Sequence, residues 1–260
     1  LIVRINIGVA DVRAEPTHNS ERVSQGLLNE AVETSLEQDG FTRVRFSDGY
    51  EGWMAAQFLS DSDETDGDGP FIVNSNIVPA FDYPDNTSRH LCYIPYGCQV
   101  YGEFVRGFLA AKTTRWGTVF IHQTHLIAKS SIAPPANAEL GEIQNEAEKF
   151  LGAPYLWGGR SFFGIDCSGF VKAIMARFGQ ELPRDTKDQI KVGIEVGRDD
   201  ICGGDLLFFP RHVALALSGE LFIHSSRFNG GVSYNSLNRE SPQYNPGLAQ
   251  TLVAVKRILA

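Results

Sequence analysis

The stretch "GGRSFFGIDCSGFVKAIMARFG", Gly158–Gly179, decides how the 260-residue chain is read. Phe170, Val171, Ile174, Met175 and Phe178 recur at helical spacing. They predict a helix from about Ser168 to Phe178, with Gly179 as its stop. Cys167 stands at the mouth of that helix, behind a glycine-rich loop. Four roles are open to such a thiol: packing residue, half of a disulfide, metal ligand or nucleophile. A thiolate at a helix start faces the partial positive charge of unpaired backbone N–H groups, which favours ionisation and nucleophilic attack. Such a thiol is expected to be alkylated fast at pH 6.

A nucleophile needs a base, and the base needs an orienting partner. Downstream of Cys167 there are two histidines, His212 and His224. If "SGE" (Ser218–Glu220) is a three-residue hairpin loop, Leu217 opposes Leu221 and His224 opposes Ala214. Both imidazoles then share one sheet face as diagonal neighbours, roughly 7–8 Å apart at Cα. A two-residue loop would turn His224 to the opposite face. Ala214 and Ala216, small and on the His212 face, are expected to leave room for the Cys167 helix. Val213, Leu215 and Leu217 would face a core on the other side.

Two punctuation marks divide the rest of the chain. "SDSDETDGDGP" (Ser60–Pro70) is acidic and glycine-rich. It lacks the glutamate a calcium loop needs at its twelfth position, so it is read as a solvated linker. "SSIAPPANAELG" (Ser130–Gly141) is a proline-rich connector. Before and between them, residues 1–60 and 70–132 alternate short β-like runs with turns. The pair Asp48-Gly49 marks a hairpin in which both positions want positive φ. "WMAAQFL" (Trp53–Leu59) aligns without a gap to "FIHQTHL" (Phe120–Leu126), which predicts a duplicated small all-β barrel. Trp53 is assigned to the core of the first. After residue 139, "AELGEIQNEAEKFLG" puts Ile143, Ala147, Phe150 and Leu151 on one helical face, stopped by Gly152. "GGDLLFFP", "HVALALSG", "ELFIHSS" and "TLVAVKRIL" read as strands. Helices first and antiparallel strands after define an α+β domain at 139–260.

Composition narrows the function classes. A formal net charge of −8 argues against nucleic-acid binding, and 43% hydrophobic residues is ordinary for a globular chain. No apolar run is long enough for a transmembrane segment. The start "LIVRINIGVADVR" has no basic n-region and apolar core, which points towards the cytoplasm. A leader removed upstream would instead place the protein in the cell envelope or outside the cell. Four cysteines are too scattered for a disulfide framework; Cys92 and Cys98 could bridge, and a reduced, buried pair is the preferred reading. No Cys/His spacing suggests zinc, and His122 and His125, three apart on a strand, are expected on opposite faces. No metal or cofactor is expected. "YLWGGRS" lacks the residues of a phosphate-binding loop. The sequence does not determine the oligomeric state.

The carboxy-terminal part resembles the NlpC/P60 family of cell-wall cysteine peptidases, a papain-like fold. "GAPYLWGG", "DCSGFV", "LPRDTKDQ", "GDLLFF", "HVALAL" and "FIHSS" stand in family order and spacing from about Glu139 to Ile258. The two amino-terminal modules resemble bacterial SH3 (SH3b) domains, best in "VADVRAEP" and "DGYEGWM". The order is similar to that of γ-D-glutamyl-L-diamino acid endopeptidases that recycle murein peptides. The resemblance implies Cys167 as nucleophile, His212 as general base and His224 as the residue that holds its ring. It implies the Cys167 N–H and the Tyr155 hydroxyl at the oxyanion. Asp166 and Ser168 would help bind the free amine of a substrate L-Ala, Asp166 being otherwise only a helix N-cap. Trp157 lies in the matching loop as a substrate contact, and Tyr50 and Glu51 are candidates from the first module. The implied substrate is L-Ala-γ-D-Glu-diamino acid. Two alternatives keep the same modules: a wall-binding protein with a vestigial peptidase, and a thiol amidase or acyltransferase. Two departures stand out: Ala214 where the family has glycine after His-Val, and Arg211 beside the base, read as solvated.

Overall fold

The structure, a computed structural model, describes residues 1–61, 67–132 and 140–259. The central residues of both expected linkers, 62–66 and 133–139, lie outside the described residues. The chain divides into two compact units, Leu1–Ser131 and Ile132–Ala260.

The first unit holds two seven-stranded antiparallel sheets. One contains β1 (Ile2–Ile5), β2 (Val9–Arg13), β3 (Arg22–Leu27), β4 (Ala31–Gln38), β5 (Phe41–Arg45), β6 (Glu51–Ala55) and β7 (Leu59–Ser60), in the order β3-β2-β6-β5-β4-β1-β7. The other contains β8 (Asp68–Val73), β9 (Ile77–Phe81), β10 (His90–Pro95), β11 (Gln99–Val105), β12 (Phe108–Thr113), β13 (Gly117–His122) and β14 (Leu126–Ala128). Its order, β10-β9-β13-β12-β11-β8-β14, is the first order shifted by seven. The aligned segments "WMAAQFL" and "FIHQTHL" each run through a strand, a single 3₁₀ turn and a closing strand. The duplication is therefore structural as well as sequential.

Neither sheet is a closed barrel. The terminal strands do not pair with each other, and β7, two residues long, offers too short a ladder to close the ring. Alternation sets each core, with Ile5, Val12, Val32, Val44 and Met54 inside the first module. Leu27 and Leu28 instead join the core of the second module, beside Ile94, Val100 and Leu109. Leu28 is fully buried there, which is worth about 1.5–3 kcal/mol. The Asn29 side chain adds a hydrogen bond to the Gln99 carbonyl at 3.0 Å. Trp53 is a core residue, packed with Phe41 and Ala55.

Three local expectations change. Asp68–Pro70, read as linker, already belongs to strand β8. At Asp48-Gly49 only Gly49 is left-handed, at φ 81°, and its N–H bonds the Phe46 carbonyl. The loop is thus three residues, Ser47–Gly49. Two-residue turns with both φ positive are Asp39-Gly40, between the paired Gln38 and Phe41, and Arg106-Gly107, between the paired Val105 and Phe108. His125 lies in a 3₁₀ turn rather than a strand, so its ring comes within 6.3 Å of His122 instead of pointing away. Each of these rings bonds a hydroxyl, His122 that of Thr124 and His125 that of Ser75.

The second unit opens with α1 (Leu140–Glu148), followed by a small ribbon of β15 (Arg160–Ser161) and β16 (Gly164–Ile165). Then come α2 (Cys167–Arg177) and α3 (Thr186–Gln189). The strands are β17 (Ile194–Glu195), β18 (Leu206–Phe209), β19 (His212–Ala216), β20 (Leu221–Ser226), β21 (Gly231–Ser236) and, after α4 (Pro246–Thr251), β22 (Ala254–Arg257). They form one antiparallel sheet in the order β17-β22-β18-β19-β20-β21, completing an α+β unit. Ile143, Ala147 and Phe150 are buried as their spacing requires, but Leu151 is 37% exposed because the helix has already ended at Glu148. Among the described residues no helix is long and apolar enough to cross a membrane.

Candidate active site

The site begins where the loop before α2 meets the helix. Gly159 and Gly169 have no room for a Cβ, which at Gly159 would collide with the Gly164 carbonyl and at Gly169 with the Gly159 carbonyl. Only glycines let the loop lie this close to the helix start. Asp166 caps the helix, its side chain accepting the Gly169 N–H at 2.7 Å. Cys167 is therefore the first helical residue, 7% exposed.

The register that decides the histidines is as expected. Leu215 pairs with Ile223, Ala216 with Phe222, and the Leu217 N–H bonds the Leu221 carbonyl at 2.8 Å. His212 Nε2 lies 2.7 Å from His224 Nδ1. Beyond it, His224 Nε2 lies 3.0 Å from Asn235 Oδ1 on β21. The face covered by α2 differs from the expectation. Ala214 and Ala216 pack with Leu207, Phe209, Phe222 and Val255, bordered by Leu248 and Leu252 around α4, and α2 contributes nothing to that cluster. α2 packs against β19 and β20 from the other side, where Ser225 donates its hydroxyl to the Ile165 carbonyl just before Cys167. The alanines make room for two phenylalanine rings, 5.9 Å apart, rather than for the helix.

Electrostatics set the resting protonation. Burial pushes the Cys167 thiol above its ordinary value and the Asp166 carboxylate pushes further; the Val213 N–H, the Thr186 hydroxyl and the Ser168 N–H pull the other way without winning. Burial and Asp166 thus favour the protonated thiol, where the helix start alone would favour the ionised form. Val213 follows His212 in the chain, so that contact seats the thiol beside the start of β19. Burial lowers His212 to about 4. Burial, then the neighbouring His212, lowers His224 to about 3 against the Asn235 hydrogen bond. Both rings are neutral near pH 7. Burial, then the nearby Cys167 and Asp166, raises the Tyr155 hydroxyl to about 12, so it remains a proton donor.

Asp166 does more than cap. Its Oδ1 accepts from Gly169, from the Ser168 hydroxyl at 3.2 Å and from Arg184 Nη1 at 3.1 Å. Its Oδ2 accepts from the Gly158 N–H at 2.9 Å and from Arg184 Nη2 at 2.7 Å. Arg184, 3% exposed, also donates to Ser168 Oγ at 2.8 Å. Sequence reading missed both Arg184 and Asn235. Asn235 had a signal, since Asn229-Gly230 before "GVSYNS" is a hairpin pair that announces another strand. Trp157 stands exposed on the loop. Tyr50 and Glu51 are engaged within their own module, the Tyr50 hydroxyl donating to the Val23 carbonyl and Glu51 accepting from Arg43. Arg211 is exposed, as read, at φ 58° in the turn before His212. Among the described residues no group of three His, Cys, Asp or Glu side chains could hold a metal.

A thiol at a helix start, two bonded imidazoles on the sheet beside it, and all-β modules ahead define a papain-like thiol peptidase architecture with SH3-type modules. Residues 152–251 match the NlpC/P60 family and residues 8–60 the bacterial SH3 domain. The probable endopeptidase NlpC of Escherichia coli (strain K12) is 36% identical over 128 residues, 44% of this chain and 82% of that protein. The chain belongs to the NlpC/P60 family. It is also similar to the gamma-D-glutamyl-L-lysine dipeptidyl-peptidase of Bacillus subtilis (strain 168), 32% identical over 202 residues, 73% of this chain. The match spans 64% of the length of that protein. The crystal structure of an NlpC/P60 family protein from Bacillus cereus ATCC 10987 shares the fold, with a TM-score of 0.86 over 100% of both chains at 20% identity.

Proposed function

We propose that the chain is a cysteine endopeptidase that hydrolyses the γ-D-glutamyl–diamino acid bond of peptidoglycan-derived peptides with a free N-terminal L-Ala. The observation that carries the reading is the 2.7 Å bond between His212 Nε2 and His224 Nδ1. It occupies one nitrogen of His212 and leaves Nδ1 to act as base.

On attack, the Cys167 proton passes to His212 Nδ1 while Sγ bonds the γ-carbonyl carbon. The Cys167 N–H and the Tyr155 hydroxyl receive the oxyanion. As the C–N bond breaks, the same proton moves from His212 to the departing amine, leaving a thioester. Water then gives a proton to His212 and attacks the thioester, and that proton returns to sulfur as the acid leaves. Because both imidazoles rest neutral and the thiol rests protonated, proton transfer accompanies attack rather than preceding it.

For the substrate's amine the reading is narrower. The Asp166 oxygens already accept five hydrogen bonds. An L-Ala ammonium would share Oδ2 with Arg184, with Ser168 beside it. Trp157 would supply an apolar wall to the same peptide. The B. subtilis relative's name supports the bond cleaved. The test is mass spectrometry of L-Ala-γ-D-Glu-L-Lys, L-Ala-γ-D-Glu-diaminopimelate and their N-acetylated forms. The expected result is release of the L-Ala-γ-D-Glu dipeptide from the free forms alone, abolished in Cys167→Ala. Equal turnover of acetylated peptides would overturn the amine requirement, and no turnover of any would overturn the peptidase.

A further inference from the structure

We propose that Asn235 is a positioning residue of this site: its carboxamide sets the tautomer of His224 and, through it, that of His212. The inference rests on the peptidase reading only for what the tautomer is used for. The argument is one of hydrogen-bond polarity and starts at α4, away from the thiol.

Asn245 caps α4, its Oδ1 accepting the Leu248 N–H at 3.1 Å. That fixes its Nδ2 as the atom that donates to Asn235 Oδ1, at 3.4 Å. Independently, the Gln243 backbone carbonyl can only accept, so the Asn235 atom 3.1 Å from it is Nδ2. Asn229 Nδ2 donates to the same Oδ1 at 3.1 Å. The Asn235 amide is therefore held one way round, and the atom it turns to His224 Nε2 is an acceptor. A neutral imidazole carries one N–H, and here Nε2 must bear it. His224 Nδ1 is then bare and accepts from His212 Nε2–H. His212 Nδ1 is left with its lone pair, the form a general base requires. Turning the amide around would reverse every step: Nδ2 would donate to His224 Nε2, His224 would carry its proton on Nδ1, and His212 would carry its own on Nδ1. The base would be lost without any atom leaving its place. One asparagine, anchored by a backbone carbonyl and a helix cap, thus fixes the direction of a three-residue relay.

The test uses the full chain labelled with ¹⁵N-histidine, and long-range ¹H–¹⁵N spectra at pH 7 without substrate. In the wild type both His212 and His224 are expected as the Nε2–H tautomer. Finding the proton of His212 on Nδ1 would overturn the proposal outright, with no variant needed. Asn235→Asp keeps an acceptor and is expected to keep both tautomers. Asn235→Leu removes it and is expected to mix them. On L-Ala-γ-D-Glu-L-Lys, Asn235→Leu should lower kcat at least about tenfold with KM changed less than about threefold, while Asn235→Asp retains most of the rate. Wild-type tautomers in Asn235→Leu, together with a kcat within twofold of wild type, would overturn it. Because the spectra need no turnover, failure of the substrate assignment leaves this test standing.

Discussion

Replacing Asp166 with asparagine should destabilise the peptidase unit by about 3–5 kcal/mol, the range for stranding one member of a buried ion pair. The perturbation is small in volume and large in charge. Arg184 would stay 3% exposed with the carboxylate that accepts from both its terminal nitrogens gone. The new amide would also turn one NH₂ towards donors, whichever way round it sits. At one position it meets the Gly158 N–H and Arg184 Nη2; at the other it meets the Gly169 N–H, the Ser168 hydroxyl and Arg184 Nη1. Capping itself is not the issue, since asparagine caps helices as well as aspartate does. With a urea m-value of about 1–3 kcal/mol/M, the midpoint of this unit should fall by at least about 1 M. The assay is urea unfolding at pH 7 followed by tryptophan fluorescence, with the companion variants Arg184→Met and Asp166→Asn/Arg184→Met. Removing Arg184 alone leaves Asp166 its two backbone donors and the Ser168 hydroxyl, so it should cost less. The double variant should lose less than the sum of the singles, because no stranded cation remains. A loss below about 1 kcal/mol in Asp166→Asn, or strict additivity in the cycle, would refute the reasoning.

Two further outcomes follow from the protonation states. In the unfolded chain both imidazoles protonate near pH 6.5, but in the fold they do so only near 4 and 3. Below pH 6.5 the unfolded chain therefore binds more protons, and stability falls as pH falls. His212 alone accounts for up to about 3 kcal/mol by pH 4, less whatever its partly exposed ring keeps through solvent. Unfolding midpoints from pH 7.5 to 4 in wild type and His224→Gln check this, the variant expected to show the shallower slope. Alkylation gives the second outcome: at pH 6 iodoacetamide should modify Cys167 no faster than free glutathione, because burial and Asp166 hold its thiol protonated. A rate far above glutathione would restore the resting thiolate and refute the general-base sequence.

What the sequence shows of this molecule is what depends on short-range pattern. The helix behind Cys167 is written in its apolar spacing. The meeting of His212 and His224 follows from parity, since a three-residue loop between Leu217 and Leu221 puts residues 212 and 224 on one face and any odd slip separates them. The duplication shows in a gapless alignment because both modules repeat the same strand–turn–strand ending. Three things stay hidden for physical reasons. Which face α2 covers depends on the far strands and α4, and Ala214 and Ala216 suit a helix or two phenylalanine rings equally well. The charge state of Cys167 is a contest between a local helix start, visible in sequence, and burial, which belongs to the whole unit. Asn235 is the sharpest case. Its type and position read as an ordinary polar strand residue. Its effect on the base depends on which way round its amide sits, and that is set by a carbonyl at Gln243 and a helix cap at Asn245, eight and ten residues away. Spacing can bring a thiol and two imidazoles together. The direction in which protons run between them is decided by the polarity of groups further out, and is legible only once the hydrogen-bond chain can be followed to an end that has no choice.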